Sequence, residues 1–174
     1  MISEVDTPDG AGNPAPRLMS PDRAQDFLEL VERARKGRLK VYLGFAAGVG
    51  KTYRMLQEAH DLARRGIDVV IGFVETHNRA QTQDLIAGLE CIPRTRLEYR
   101  GVVIEEMDLD AVLARRPQVA LVDEVAHTNA PGMRHRKRYQ DIQALIDAGI
   151  NVLCAFNVQH LESLNDLIDR STGV

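Results

Sequence analysis

Apolar residues along this chain fall into short runs, separated by longer stretches in which they recur at helical spacing. Residues 39–43, 67–74, 119–122 and 150–156 are nearly continuous in apolar side chains, the pattern of strands covered on both faces. Between them the spacing predicts helices. The first starts at Ser20-Pro21, a capping residue followed by the imide that tolerates the first helical position. It carries Phe27, Leu28, Val31 and Ala34 at helical spacing and stops at Gly37. A second presents Leu56, Ala59, Leu62 and Ala63 on one face and ends at Gly66. A polar helical stretch over 78–89, a short helix capped by Asp108 and ending before Pro117, and a helix over 136–148 closed by Gly149 follow. Asn157 is placed to cap a last helix that runs to residue 167, and residues 96–104 read as one further strand. Apolar strands alternating with amphipathic helices predict an α/β fold, a parallel sheet with helices on both faces in three α/β/α layers. In such a sheet ligands bind beyond the carboxyl ends of the strands.

Length and charge narrow the picture. At 174 residues the chain suits one domain, here residues 21–174, preceded by a tail over 1–20 with Pro8, Pro14 and Pro16 and too few apolar groups to offset the entropy of ordering it. Lys and Arg number 22 against 25 Asp and Glu, a net charge of −3 that argues against a dedicated nucleic-acid binder. The 2 cysteines, Cys91 and Cys154, make neither a disulfide framework nor a zinc site, which points to a reducing cytoplasm. No apolar run approaches the roughly 18 residues needed to span a bilayer, and the N-terminus has no secretory signal.

The chemistry concentrates after the first strand, in Gly48-Val49-Gly50-Lys51-Thr52. Glycines let the backbone wrap around phosphate oxygens, and the following helix adds the positive end of its dipole. Lys51 then reaches the β- and γ-phosphates and the Thr52 hydroxyl coordinates Mg²⁺, so ATP with Mg²⁺ is the expected cofactor. The first glycine of the full P-loop pattern is replaced by Phe45, which bears on affinity. Asp123 ends a buried strand, where P-loop proteins hold Mg²⁺ through water. Glu124 and Glu75 are rival candidates for the acid that orients or deprotonates an attacking water, each equally readable as a solvated acid. Asn157 ends another strand, where its amide senses a γ-phosphate, caps a helix, or both. In the loop after Glu124, His127 and His135 lack a third ligand and are read as loop hydrogen-bonders. Arg136, Lys137 and Arg138 fall in the expected first turn of a helix, against its dipole. They form a solvated face or attract an anion, such as a nucleotide phosphate, an acidic partner, or a second subunit's γ-phosphate reached by an arginine in a homodimer. Arg134 is a candidate γ-phosphate contact in the same loop.

From about residue 38 onward the chain resembles the N-terminal cytoplasmic domain of the KdpD family, the potassium-responsive sensor histidine kinases of bacteria. The resemblance rests on Gly48-Val49-Gly50-Lys51-Thr52-Tyr53, Val74-Glu75-Thr76-His77 and Glu98-Tyr99-Arg100-Gly101. More specific are Asp123-Glu124-Val125-Ala126-His127-Thr128-Asn129, Arg138-Tyr139-Gln140-Asp141, and Asn157-Val158-Gln159-His160 with the residues that follow to Asp166. Where the family loop usually carries Ala and Pro, this chain has Phe45 and Ala47. The resemblance implies a P-loop, RecA-like domain that binds ATP and adjusts the kinase/phosphatase balance toward a response regulator within a two-component system controlling potassium uptake. It also implies neighbouring domains, and an inner-membrane anchor elsewhere in the full-length protein. The kinase core is absent from these residues, so the segment is expected to be at most a slow ATPase, either an excised piece or a shortened gene product. A free-standing ATPase or nucleoside-type kinase, and an interaction scaffold with a decayed site, are the alternatives.

Overall fold

The computed structural model describes residues 21–45, 49–76 and 80–157. The chain divides into two compact units, residues 1–34 and residues 35–174. Helix α1 (Pro21–Arg35) opens at the predicted proline. Gly37 follows because of a close approach: a Cβ there would sit 1.9 Å from the Ile150 carbonyl oxygen.

In the second unit, strands β1 (Leu39–Gly44), β2 (Val69–Phe73), β3 (Glu90–Cys91), β6 (Val119–Val122) and β7 (Asn151–Asn157) build one sheet in the order β1-β7-β6-β2-β3. Every neighbouring pair in it is parallel. Side chains alternate between its faces. Val70, Ala120, Val122, Val152 and Cys154 join one core with α4 (Leu109–Arg115) and α5 (Arg138–Asp147). Val69, Ile71, Val119, Leu121 and Leu153 join the other with α2 (Lys51–Arg64), while Leu85 and Ile86, just past α3 (Ala80–Asp84), pack at its margin. Helices thus cover both faces, as the strand–helix alternation predicts. Leu56, Val70, Val112, Leu121 and Leu145 are fully buried, each worth about 1.5–3 kcal/mol relative to exposure.

Three expectations are corrected. Residues 96–104 are not one strand. They lie in a separate antiparallel hairpin, β4 (Thr95–Tyr99) and β5 (Val102–Glu106), whose turn places Arg100 and Gly101 at φ 52° and 77°. Two positive φ values in a two-residue connection match the twist of the flanking strands, and Arg-Gly is a less common way to supply them than Asn-Gly. The polar stretch over 78–89 yields only the short α3, and the exposed β3 follows it as an edge. Helix α5 begins at Arg138, so Arg136 and Lys137 precede its first turn. The expected last helix, 157–167, lies outside the described residues. Among the described residues, no helix is long and apolar enough to cross a membrane.

Candidate functional site

The carboxyl ends of β1, β7 and β6 bring together residues that are far apart in sequence. Helix α2 starts directly after Gly50, which holds φ at 83° and contributes no side-chain cap, and its first turn carries no acid. The leading N–H groups of a helix lack intrahelical acceptors, so this end is electropositive. Gly44, at the end of β1, leaves room for the Lys51 stem: a Cβ there would lie 2.8 Å from Lys51 Cδ and 2.6 Å from Val49 Cγ2. The Lys51 ammonium donates to Asn157 Oδ1 at 2.5 Å, at the tip of β7. The Thr52 hydroxyl donates to Asp123 Oδ2 at 2.8 Å, at the tip of β6. The other Asp123 oxygen accepts the Glu124 amide at 2.8 Å, and the Asp123 amide donates to the Phe73 carbonyl at 2.7 Å. Asp123 is therefore buried and fixed from several sides.

Four predicted residues, Lys51, Thr52, Asp123 and Asn157, share this end of the sheet. Hydroxyl and carboxylate oxygens side by side are the hard donors that suit Mg²⁺, and an ammonium beside a helix N-terminus suits phosphate. Both groups therefore fit the residues present. Gly48 and Ala47 lie outside the described residues. Phe45 is 82% exposed, so its ring stands in solvent, and Val49 and Tyr53 are also exposed. Beneath Asp123, burial first and the Asp123 charge second push the Cys154 thiol far above its ordinary value, which leaves it an inert wall.

The rival acids meet different fates. Glu75 is paired with Arg94 Nη1 at 2.7 Å, and Arg94 Nη2 also donates to the Val74 carbonyl at 2.8 Å. Glu124 adopts φ 55°, a left-handed backbone that a β-carbon disfavours. Arg134 is engaged elsewhere, by Asp110 at 2.9 Å on α4.

A buried polar cluster behind the acids was missed by sequence reasoning. Arg138, expected on a solvated face or facing an external anion, is fully buried. Its Nη2 donates to Glu106 Oε2 at 2.6 Å, its Nε donates to Asn129 Oδ1 at 3.2 Å, and its guanidinium lies 4.1 Å from the Phe73 ring centre. The anion that offsets the helix dipole is thus internal. His127 and the Ala130 amide also bond Glu106, while His135 and Asn129 bond the buried Asp141. Both histidines are loop hydrogen-bonders, as expected. Burial alone would raise the Glu106 carboxyl, but the hydrogen bonds from His127 and the Ala130 amide, with attraction to His127 and Arg138, hold it below its ordinary value. The sequence signals for this cluster were the Asp123–Asn129 and Arg138–Asp141 blocks, which identified a resemblance and not a burial. On its far side a cavity of about 600 Å³ opens between the hairpin and the 127–136 loop.

A family model described as "KdpD: Osmosensitive K+ channel His kinase sensor domain" matches residues 35–174. The "Sensor protein KdpD" of Escherichia coli strain K12 is 52% identical over 162 residues, 93% of this chain and 18% of that protein. Its namesake in Mycobacterium tuberculosis strain CDC 1551 is 54% identical over 140 residues, 80% of this chain and 16% of that protein. The one in Clostridium acetobutylicum is 50% identical over 139 residues, 80% of this chain and 15% of that protein. The chain therefore spans less than a fifth of these relatives. With the family model covering most of its length, the chain belongs to the KdpD sensor-domain family.

Proposed function

We propose that this chain is the ATP-binding regulatory module of a KdpD-type sensor histidine kinase, a RecA-like P-loop domain whose nucleotide state biases the kinase/phosphatase balance of the full-length protein. The observation that carries the reading is the 2.8 Å contact between Thr52 and Asp123, two hard oxygen donors 71 positions apart in sequence, next to the Lys51–Asn157 pair. The interposition of β7 between β1 and β6 supports the RecA-like assignment, because the middle strand delivers Asn157 between the lysine and the acid. Mg-ATP supplies the site with a triphosphate whose last phosphate distinguishes it from ADP. Lys51 and the α2 amides neutralise the phosphates, Thr52 and Asp123 hold the metal, and Asn157 reads the terminal phosphate. Val49 and Tyr53 flank the loop, and the exposed Phe45 ring offers a surface for the base. The engagement of Glu75 by Arg94 favours a switch over a fast hydrolase, since the carboxylate oxygen that would receive a proton from water is already occupied. The response regulator and the remaining kinase domains are the partners that family membership suggests, with the domain on the cytoplasmic side of an inner-membrane protein.

A thermal-shift titration tests the reading. Mg-ATP at a hundred times its dissociation constant stabilises by about 2.7 kcal/mol, roughly 5–10 °C for a chain of this size. Lys51→Ala abolishes that shift at the same concentration. No stabilisation of the parent chain, or equal stabilisation of the variant, refutes the proposal.

A further inference from the structure

Neighbouring residues on a strand point to opposite faces. Glu105 and Glu106, the last two of β5, follow that rule, and each holds a different arginine. Glu105 accepts from Arg94 Nη1 at 3.3 Å and from its cross-strand neighbour Arg96 at 3.0 Å, and Glu106 accepts from Arg138 Nη2 at 2.6 Å. Both guanidinium groups then meet on one ring, Arg94 at 4.5 Å and Arg138 at 4.1 Å from the centre of Phe73. Phe73 ends β2, and its carbonyl holds the Asp123 amide at 2.7 Å. Arg94 also carries Glu75, and Arg138 feels the charge of Glu124. Both rival acids and Asp123 thus connect, through two arginines and the ring and carbonyl of Phe73, to the end of a single hairpin.

Two further observations make this connection able to adopt more than one arrangement. Arg138 Nη1 is buried and, among the described residues, has no hydrogen-bond acceptor. A buried donor left open is a cost that an alternative arrangement relieves. Glu124 sits at φ 55°, next to Asp123, in a backbone conformation that stores strain. The hairpin itself belongs to no larger sheet, none of residues 95–105 is buried, and it faces the cavity of about 600 Å³, so apart from the anchored Glu106 little packing opposes its movement.

We propose that the β4–β5 hairpin is the nucleotide-responsive element of this domain, driven through a clamp in which Arg94 and Arg138 grip Phe73 and are held by Glu105 and Glu106. This rests on the nucleotide-binding reading above. When the terminal phosphate is present, the acids and Asp123 settle into one arrangement, the arginines follow, and the hairpin tightens. With a diphosphate it loosens. Arg94 and Arg138 are positioning residues in this scheme and touch no ligand.

Amide hydrogen exchange on the whole chain reads the effect, with Mg²⁺ and either ADP or the non-hydrolysable β,γ-imido analogue of ATP. Residues 95–106 exchange about fivefold more slowly with the triphosphate analogue than with ADP, while residues 51–54 are protected by both. Glu105→Ala removes the brace between Arg94, just before β4, and the end of β5 and leaves Arg94 on Glu75, so nucleotide affinity and protection of 51–54 persist and the hairpin difference falls at least by half. Arg138→Lys, which keeps the charge but not the forked geometry, abolishes the difference if it folds. Equal hairpin exchange with the two nucleotides in the parent chain, with 51–54 protected, overturns the inference and leaves the binding site standing. An undiminished difference in Glu105→Ala removes the clamp. Absence of protection anywhere overturns both this inference and the function on which it rests.

Discussion

Arg138 and Glu106 illustrate how a charge is made tolerable inside a protein. Each is almost wholly buried, and each is hydrogen-bonded to named neighbours: Asn129 and Glu106 for the Nε and Nη2 of the arginine, His127, Ala130 and Arg138 for the acid. Removing one partner of such a pair leaves the other charged and unmatched, at a cost of about 3–5 kcal/mol. Glu106→Gln is therefore expected to lower the free energy of unfolding at pH 7 by that amount in urea titrations. The pH dependence follows from the direction of the Glu106 shift. Its folded pKa lies below the ordinary value of 4.5, so its contribution is complete above that pH and is lost as pH falls through the depressed folded value. Unfolding midpoints of the parent chain should drop steeply below about pH 4.5, and those of Glu106→Gln should drop less. A parent profile that stays flat through that window, or one that the variant reproduces, contradicts the assignment.

At the scale of elements, the parts that could be read in the sequence are those whose cause is local. The runs at 119–122 and 150–156 are buried on both faces, and the structure places them in the middle of the sheet. Asp108 caps α4 by accepting from the Ala111 amide at 2.8 Å, as its position before a short apolar helix suggests. The contacts of Lys51, Thr52, Asp123 and Asn157 were legible for the same reason, since each ends or begins an element pointing to one edge of the sheet. What escaped depends on distant partners. The hairpin reads as one strand because Arg100-Gly101 is a weak turn signal and Val102 and Val103 continue the apolar pattern. Arg138 reads as a surface cation because its acceptor, Glu106, lies 32 positions away. The turn makes its own prediction. Gly101 holds φ at 77° with open space around it, so Gly101→Ala costs backbone strain without a clash. The expected loss is about 1 kcal/mol, measurable by denaturant titration, with hairpin amides exchanging faster. An unchanged midpoint would show that the turn does not require a left-handed residue.

For the whole molecule, the parallel sheet sets the geometry and the helices set the field. The order β1-β7-β6 spaces the lysine strand from the aspartate strand by two inter-strand steps, roughly 9–10 Å, with Asn157 on the strand between. That gap is bridged from one side by Thr52 on α2 and from the other by the Lys51–Asn157 contact. The hairpin stands apart from this sheet, and the ion pairs that hold it run through Arg94, Arg138 and His127. The chain covers 18% of the length of the Escherichia coli relative. Isothermal titration calorimetry of the whole chain with ATP, in the presence and absence of Mg²⁺, tests the central claim most directly. The account predicts saturable one-site binding that Mg²⁺ strengthens, that Lys51→Ala eliminates, and that loses its Mg²⁺ dependence in Asp123→Asn. Zero heat from the folded parent chain at millimolar ATP, or binding indifferent to both substitutions, would contradict it.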